Sequence, residues 1–167
     1  DLLLSVDMPT ARILSKSIDK YNEDRRELDK KTTEEAINFI DTQTDVSSQK
    51  SIVVYNENWH KGIVGIVASR LTERYYRPAV VLTRSSKNLI SGSARSVLGF
   101  DVYKAIESCK DILENFGGHT YAAGLTLKEE NLSEFKRRFN AISFDEIESK
   151  MMLPQIIIDA EIPFSTI

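Results

Sequence analysis

The chain has 167 residues, with 22 lysines and arginines against 25 aspartates and glutamates, a net charge of −3, and 41% hydrophobic residues. That length suits one domain with attached pieces and a buried core. The acidic balance excludes a histone-like or tail-type nucleic-acid binder but leaves room for a local basic patch. The single cysteine, Cys109, excludes an internal disulfide and a multi-cysteine zinc site, which fits a reducing, intracellular setting. No apolar run approaches the roughly 20 residues that span a bilayer, so no membrane partner is expected. The chain begins at Asp1 rather than Met, and its natural start is expected upstream, so the lack of a signal peptide carries no weight.

Asp7 to Asp41 reads as one long helix. Asp7 can cap it and Pro9 suits its first turn. Ala11, Leu14, Ile18, Tyr21, Leu28, Thr32, Ala36 and Phe39 recur at helical spacing, opposite a face carrying Glu23, Asp24, Arg26, Glu27, Lys30, Lys31 and Glu34. At about 1.5 Å per residue such a helix runs on the order of 50 Å. A seam that long suits a connector between two domains, with a bundle or coiled-coil helix as the alternative. The exposed seam also offers a surface on which a second copy can dimerise.

After a polar break, Thr42 to Lys50, the pattern alternates. Ser51–Tyr55 reads as a strand, Asn56–Gly62 as a loop, Ile63–Tyr76 as a helix ended by Pro78, and Ala79–Thr83 and Leu89–Ser96 as strands. Asp101 caps a helix running to about Asn115, with Val102, Ala105, Ile106, Cys109 and Leu113 inward. Leu125–Leu127 is a fourth strand after a glycine-rich turn. Asn131 or Ser133 caps a last helix carrying Leu132, Phe135, Phe139 and Ile142. This alternation implies an α/β layer domain. Glu146–Leu153 reads as a linker and Ile156–Phe164 as the first strand of something further on.

The window Arg77–Phe100 holds Arg77, Arg84, Lys87 and Arg95 and no acid, and Asn56–Leu127 holds nine basic and six acidic residues. Positive charge on an acidic chain is a place for a phosphate, and a solvated face is its plain alternative. Three stretches sharpen the choice. In Ser91-Gly-Ser-Ala-Arg-Ser96, strand alternation points Ser91, Ser93 and Arg95 the same way. A guanidinium among hydroxyls suits a phosphate or sugar, though a surface strand carrying a spare arginine reads the same. In Phe116-Gly-Gly-His-Thr-Tyr-Ala-Ala-Gly124, the paired glycines let backbone N–H groups approach a ligand, with a small-residue helical turn expected after His119. His119 can donate to a phosphate oxygen or act as acid or base near neutral pH; a histidine bonded to backbone is the alternative. In Asn58-Trp59-His60-Lys61-Gly62-Ile63-Val64-Gly65, the following helix can lie close to its neighbours and its N-terminus can meet an anion. Trp59 packs or stacks on a base, and packing is the expectation. Two histidines 59 positions apart without nearby carboxylates make no dinuclear metal site. Cys109, on an inward helix face, is a poor nucleophile. Neither a P-loop nor a G-x-G-x-x-G fingerprint is present.

At these stretches the chain resembles a known family. WHKGIVGIVASRL, RPAVVL, SGSARS, GFDVYKAI and FGGHTYAAGLTL, in this order, are similar to the DHHA1 domain of RecJ-type exonucleases, bacterial single-strand-specific 5′→3′ enzymes of the DHH phosphoesterase superfamily. The resemblance spans about Ser51 to Ile142. YNEDRRE and LDKKTTEEA resemble the helix joining the DHH half to the DHHA1 half, and LPQIIIDAEI resembles the lead into an OB-like domain. It implies a DHHA1-like α/β fold, a small mixed sheet flanked by helices after a long connector helix. The implied division is residues 1–50 for the end of the DHH half and the connector, 51–145 for the substrate-binding domain, and 146–167 for a linker and first strand.

The family's metal-binding aspartates and histidines are not in this sequence. The resemblance therefore implies a substrate clamp that packs against its own DHH domain and is inactive alone. The divalent metal, manganese or magnesium, and the two-metal hydrolysis belong to that other half, in the bacterial cytoplasm. Carried over by motif, Arg95, Ser91, Ser93 and Ser96 bind the backbone phosphate of single-stranded DNA. Gly117, Gly118 and the catalytic His119 lie nearest the scissile phosphate, and His60 stands at the cleft. Two alternatives remain open: a parent that degrades short oligonucleotides or cyclic dinucleotides, and a noncatalytic RNA-binding module like the DHHA1 tail of alanyl-tRNA synthetases.

Overall fold

The structure is a computed structural model and describes residues 1–43, 48–155, 158 and 160–163. The long N-terminal pattern forms one helix, α1 (Met8–Gln43). The Thr10 amide donates to Asp7 Oδ1 at 2.8 Å, the expected cap. Only its C-terminal half docks. The buried positions are Asp29, Thr32, Ala36 and Ile40: Thr32 and Ala36 belong to the expected stripe, while Asp29 and Ile40 stand one residue on from the expected Leu28 and Phe39, which are each 37% exposed. The seam shifts because its anchor is ionic: Asp29, 5% exposed, takes Arg70 Nε at 3.0 Å and Nη2 at 2.6 Å. Upstream, Ile13, Ile18 and Tyr21 are exposed.

A five-stranded mixed sheet follows. Its strands are β1 (Ile52–Tyr55), β2 (Ala79–Ser86), β3 (Leu89–Arg95), β4 (Leu113–His119) and β5 (Ala122–Lys128), in the order β1-β2-β3-β5-β4. β1 and β2 are parallel, joined through α2 (Val64–Tyr75); the other pairings are antiparallel. α2 and α1 cover one face over Ile52, Val54, Ala79 and Val81. α3 (Val102–Glu107) and α4 (Leu132–Glu146) cover the other over Leu82, Ile90, Leu125 and Leu127. The expected mixed sheet with flanking helices and a leading long helix is what forms.

Several expectations are corrected. The helix capped by Asp101, whose Oδ1 accepts the Lys104 amide at 3.1 Å, stops at Glu107. A short 3-10 turn follows, and Leu113–His119 is the edge strand β4 rather than helix end and turn. The apolar spacing of Cys109 and Leu113 fitted a helix, but Leu113 pairs with Leu127 across the sheet. Ala122–Gly124 is likewise strand, not a helical turn. Asn131 stands at the start of α4 without capping it, because its Nδ2 is drawn to the Ile112 carbonyl at 3.0 Å. The Glu146–Leu153 linker is tied down: Ile147 is buried at 1%, and Lys50 Nζ donates to the Phe144 and Ile147 carbonyls at 2.7 and 2.6 Å. Of the expected strand Ile156–Phe164, residues 156, 157, 159 and 164 lie outside the described residues, and residues 158 and 160–163 are not in a strand.

Trp59 settles as packing. It is 6% exposed and donates from Nε1 to Glu35 Oε2 of α1 at 3.0 Å, while its carbonyl accepts the Thr83 hydroxyl at 2.6 Å. It locks helix, loop and sheet together. Trp59→Ala is expected to cost about 3–5 kcal/mol in urea unfolding and to lower hydrogen-exchange protection in the Ala36–Ile40 stretch of α1. A loss below about 1 kcal/mol would refute this.

Candidate nucleic-acid interface

Sheet register builds the site. On β3 the side chains alternate: Ile90, Gly92 and Ala94 face the α3–α4 side, and Ser91, Ser93 and Arg95 face α2. The pairings carry this face outward in three rows. Ser91 stands level with Thr126 and Asn115; Ser93 with Gly124 and Gly117; Arg95 with Ala122 and His119. Arg95 and the exposed His119 therefore share one row on one face, two strand spacings or about 10 Å apart. The serine-ringed arginine and the glycine-paired histidine are brought together, as their motifs implied.

A groove of about 340 Å³ lies beside them, under the start of α2, lined by Lys61, Ser91, Ser93, Asn115, Gly117 and Thr126 among others. Its floor is open because nothing stands within 4 Å of where a Gly117 side chain would be, and Gly124 opposite adds no bulk. Its roof is close because Gly65 lacks a side chain. A methyl there would stand 3.2 Å from Arg95 Nη2 and 3.4 Å from Ser93 Oγ. Arg95 sits in the adjoining recess, Nη1 donating to its neighbour's carbonyl (Ala94) at 2.9 Å, with Glu73 and Arg70 on the rim. Gly118 is obligatory for a different reason. Its φ is +152°, and a Cβ would come within 2.3 Å of the Ala122 carbonyl oxygen.

The other expected residues separate. The Ser96 hydroxyl donates to the Phe100 carbonyl at 2.8 Å and holds the turn after β3, away from the serine face. His60 Nδ1 accepts the Gly62 amide at 3.0 Å, which shapes the loop before α2. Of the basic window, Arg84 pairs with Glu57 and Glu129, and Arg77 donates to the Gln49 and Tyr75 carbonyls. Among the described residues, no ion pair forms at Arg95 or Lys61. The groove's own basic residue, Lys61, was not singled out from sequence; its signal was a lysine just ahead of a helix start. Asn115 was hidden because its segment was read as helix, and Thr126, on the expected strand Leu125–Leu127, is placed level with Ser91 only by the register. The described residues hold no cluster of three or more His, Cys, Asp or Glu able to bind a metal. The groove's polar groups are an ammonium, hydroxyls and a side-chain amide, all able to donate to an anion. Among the described residues no helix is long and apolar enough to cross a membrane.

The comparisons agree with this architecture. The DHHA1 domain model matches residues 48–143, and the chain belongs to that family. Within the family it is similar to the single-stranded-DNA-specific exonuclease RecJ of Bacillus subtilis, 41% identical over 92% of the chain and 19% of the relative. The RecJ of Haemophilus influenzae is 33% identical over 97% of the chain and 29% of the relative. The chain thus spans under a third of either protein, and corresponds to the DHHA1 part. The crystal structure of Thermus thermophilus RecJ with Mg²⁺ superposes with a TM-score of 0.76 at 28% identity, covering 86% of this chain and 22% of that one. An exonuclease RecJ bound to manganese gives 0.75 at 30% identity, covering 86% and 34%.

Two measurements check the site's construction. Gly117→Ala should leave unfolding stability within about 1 kcal/mol while narrowing the groove, whereas Gly118→Ala should cost more than about 2 kcal/mol. Equal costs would contradict the register. Cys109 is fully buried and burial pushes its thiol up, so Ellman's reagent should label it only as the protein unfolds; fast labelling of the native chain would be incompatible with its place in the core.

Proposed function

We propose that this chain is the substrate-holding part of a RecJ-type exonuclease that degrades single-stranded DNA 5′→3′. Hydrolysis is supplied by a metal-bearing DHH half outside this sequence, against which the domain packs. The observation that carries the reading is the row shared by Arg95 and His119 beside a glycine-floored groove lined by donors. The single-strand-specific relatives support the substrate class. In the family the divalent metal supplies the activated water; the described residues hold no cluster of three or more His, Cys, Asp or Glu for it, and the part read for this domain is to bind and orient.

Arg95 presents a planar guanidinium held from behind by the Ala94 carbonyl, suited to two parallel bonds to a phosphate. Ser93 Oγ adds a neutral donor beside it. His119, exposed on the edge strand, donates to the oxygens of the phosphate under attack and stabilises its charge. The Gly117–Gly124 floor lets the sugar–phosphate chain lie against the sheet. None of these contacts reads a base edge, so grip without sequence preference is expected. One thiol and the bacterial relatives favour the cytoplasm.

Arg95→Ala should weaken binding of a fluorescein-labelled thymidine dodecamer at least about tenfold, roughly 1.4 kcal/mol. In an enzyme joining this domain to its DHH half it should lower kcat/KM by a similar factor. Wild-type binding by the chain alone should be weak and fall steeply with salt. Tight, salt-insensitive binding would overturn the phosphate grip, and unchanged affinity in the variant would remove Arg95 from it. A preference for two-to-five-residue oligomers over long strands would instead favour a parent acting on short oligonucleotides.

A further inference from the structure

The Arg95–His119 row accounts for one end of the groove and leaves the other, lined by Lys61, Val64 and Ser91, without an assigned role. Three observations meet there. First, α2 begins uncapped: Ile63 occupies its N-cap and has no polar atom in its side chain. Among the described residues the Val64 and Gly65 amides have no acceptor, since the first-turn bonds to the Ile63 carbonyl come from Ile66 and Val67. Second, Ser91 is 4% exposed and its Oγ has no hydrogen-bond partner, although it lines the same groove as Lys61 and Val64. A buried hydroxyl without a partner is rare and calls for an occupant. Third, Lys61 lines that end, and no ion pair forms with it among the described residues.

Orphan amides at a positive helix terminus, an unpaired buried hydroxyl and an ammonium call for an anion. Ser91 lies four residues from Arg95 along β3, about 14 Å at strand rise, too far for one phosphate to touch both. Each end then takes its own phosphate.

We propose that the start of α2, with Lys61, Ser91 Oγ and the Val64 amide, is a second phosphate subsite that holds a phosphodiester of the same strand whose other phosphate lies at Arg95. This rests on the reading of the groove as a nucleic-acid grip and names a part of it that Arg95 does not reach. The subsite sets how many nucleotides must be present before the strand is held at both ends, and its charge contribution is separable from that of Arg95.

The test uses the 167-residue chain and the labelled thymidine dodecamer at several salt concentrations. Lys61→Gln should weaken binding at least about threefold and reduce the steepness of the log–log salt dependence by about 0.7, one single-strand phosphate. Ser91→Ala should weaken binding with its unfolding midpoint unchanged or raised, because it removes an unpaired polar atom. The Lys61→Gln and Arg95→Ala losses should add in the double variant, as expected of separate sites. In a ¹⁵N spectrum the Val64 amide should shift on titration of the Arg95→Ala variant with the dodecamer. Normal affinity and salt slope in Lys61→Gln, with Arg95→Ala weakened, would overturn the subsite and leave the groove reading intact. Full binding in both variants would overturn both. Losses that fail to add would merge the two sites into one and overturn the subsite.

Discussion

The antiparallel register of β3, β5 and β4 is the constraint on which the site depends. A slip of one residue would turn Ser91, Ser93 and Arg95 into the apolar layer and bring Ile90 and Ala94 out. The slip is blocked from both sides. Ile90, Leu125 and Leu127 are each 4% exposed or less on the α3–α4 face. Gly92 passes so close to β2 that a Cβ would meet the Val81 carbonyl oxygen at 2.2 Å. With the apolar set committed to one face, the polar set is left on the other, in rows that reach the edge strand. The site is thus a by-product of burying the core: the same alternation that hides the leucines presents the serines and the arginine.

Helix α2 joins the two halves of the fold. Its first turn roofs the groove across Gly65, while Arg70, further along, holds Asp29 of the long helix α1. Trp59, just ahead of it, bonds to Glu35 of the same helix. A movement of α1 relative to the sheet therefore acts on the helix that covers the groove. The Asp29 carboxylate is nearly buried while Arg70 is half exposed, so the pair places the helices more than it adds stability. The electrostatics of the face are sparser than a count of basic residues implies. Arg84 is offset by Glu57 and Glu129, and Arg77 serves two backbone carbonyls. Lys61 and Arg95 are left, one at each end of the groove, with His119 beside the second.

Much of this was legible without coordinates. Helix α1 announced itself through an aspartate cap, an early proline and a long run without glycine. The β1, α2, β2 and β3 segments stood out by β-branched runs and by Pro78. The alternation of Ser91, Ser93 and Arg95 followed from strand geometry alone. The misread segment, Lys110 to Gly124, is instructive. Its apolar residues fit a helical period as well as a pleated one, and its glycines look like a turn. It is the pairing of Leu113 with Leu127 and of Gly117 with Gly124 that makes it an edge strand.

The sequence by itself determined which residue types were available for gripping a phosphate and which short segments were helix or strand, because period and capping are local properties of the chain. The tertiary structure decided which of those residues act together. Ser96 and His60, near the motif residues in sequence, are turned to local backbone bonds, while Lys61 and Asn115, far apart in sequence, line one groove. The reason is physical: proximity across a sheet is set by long-range pairing and by how closely a helix can approach it, and neither quantity is encoded in any one stretch of residues.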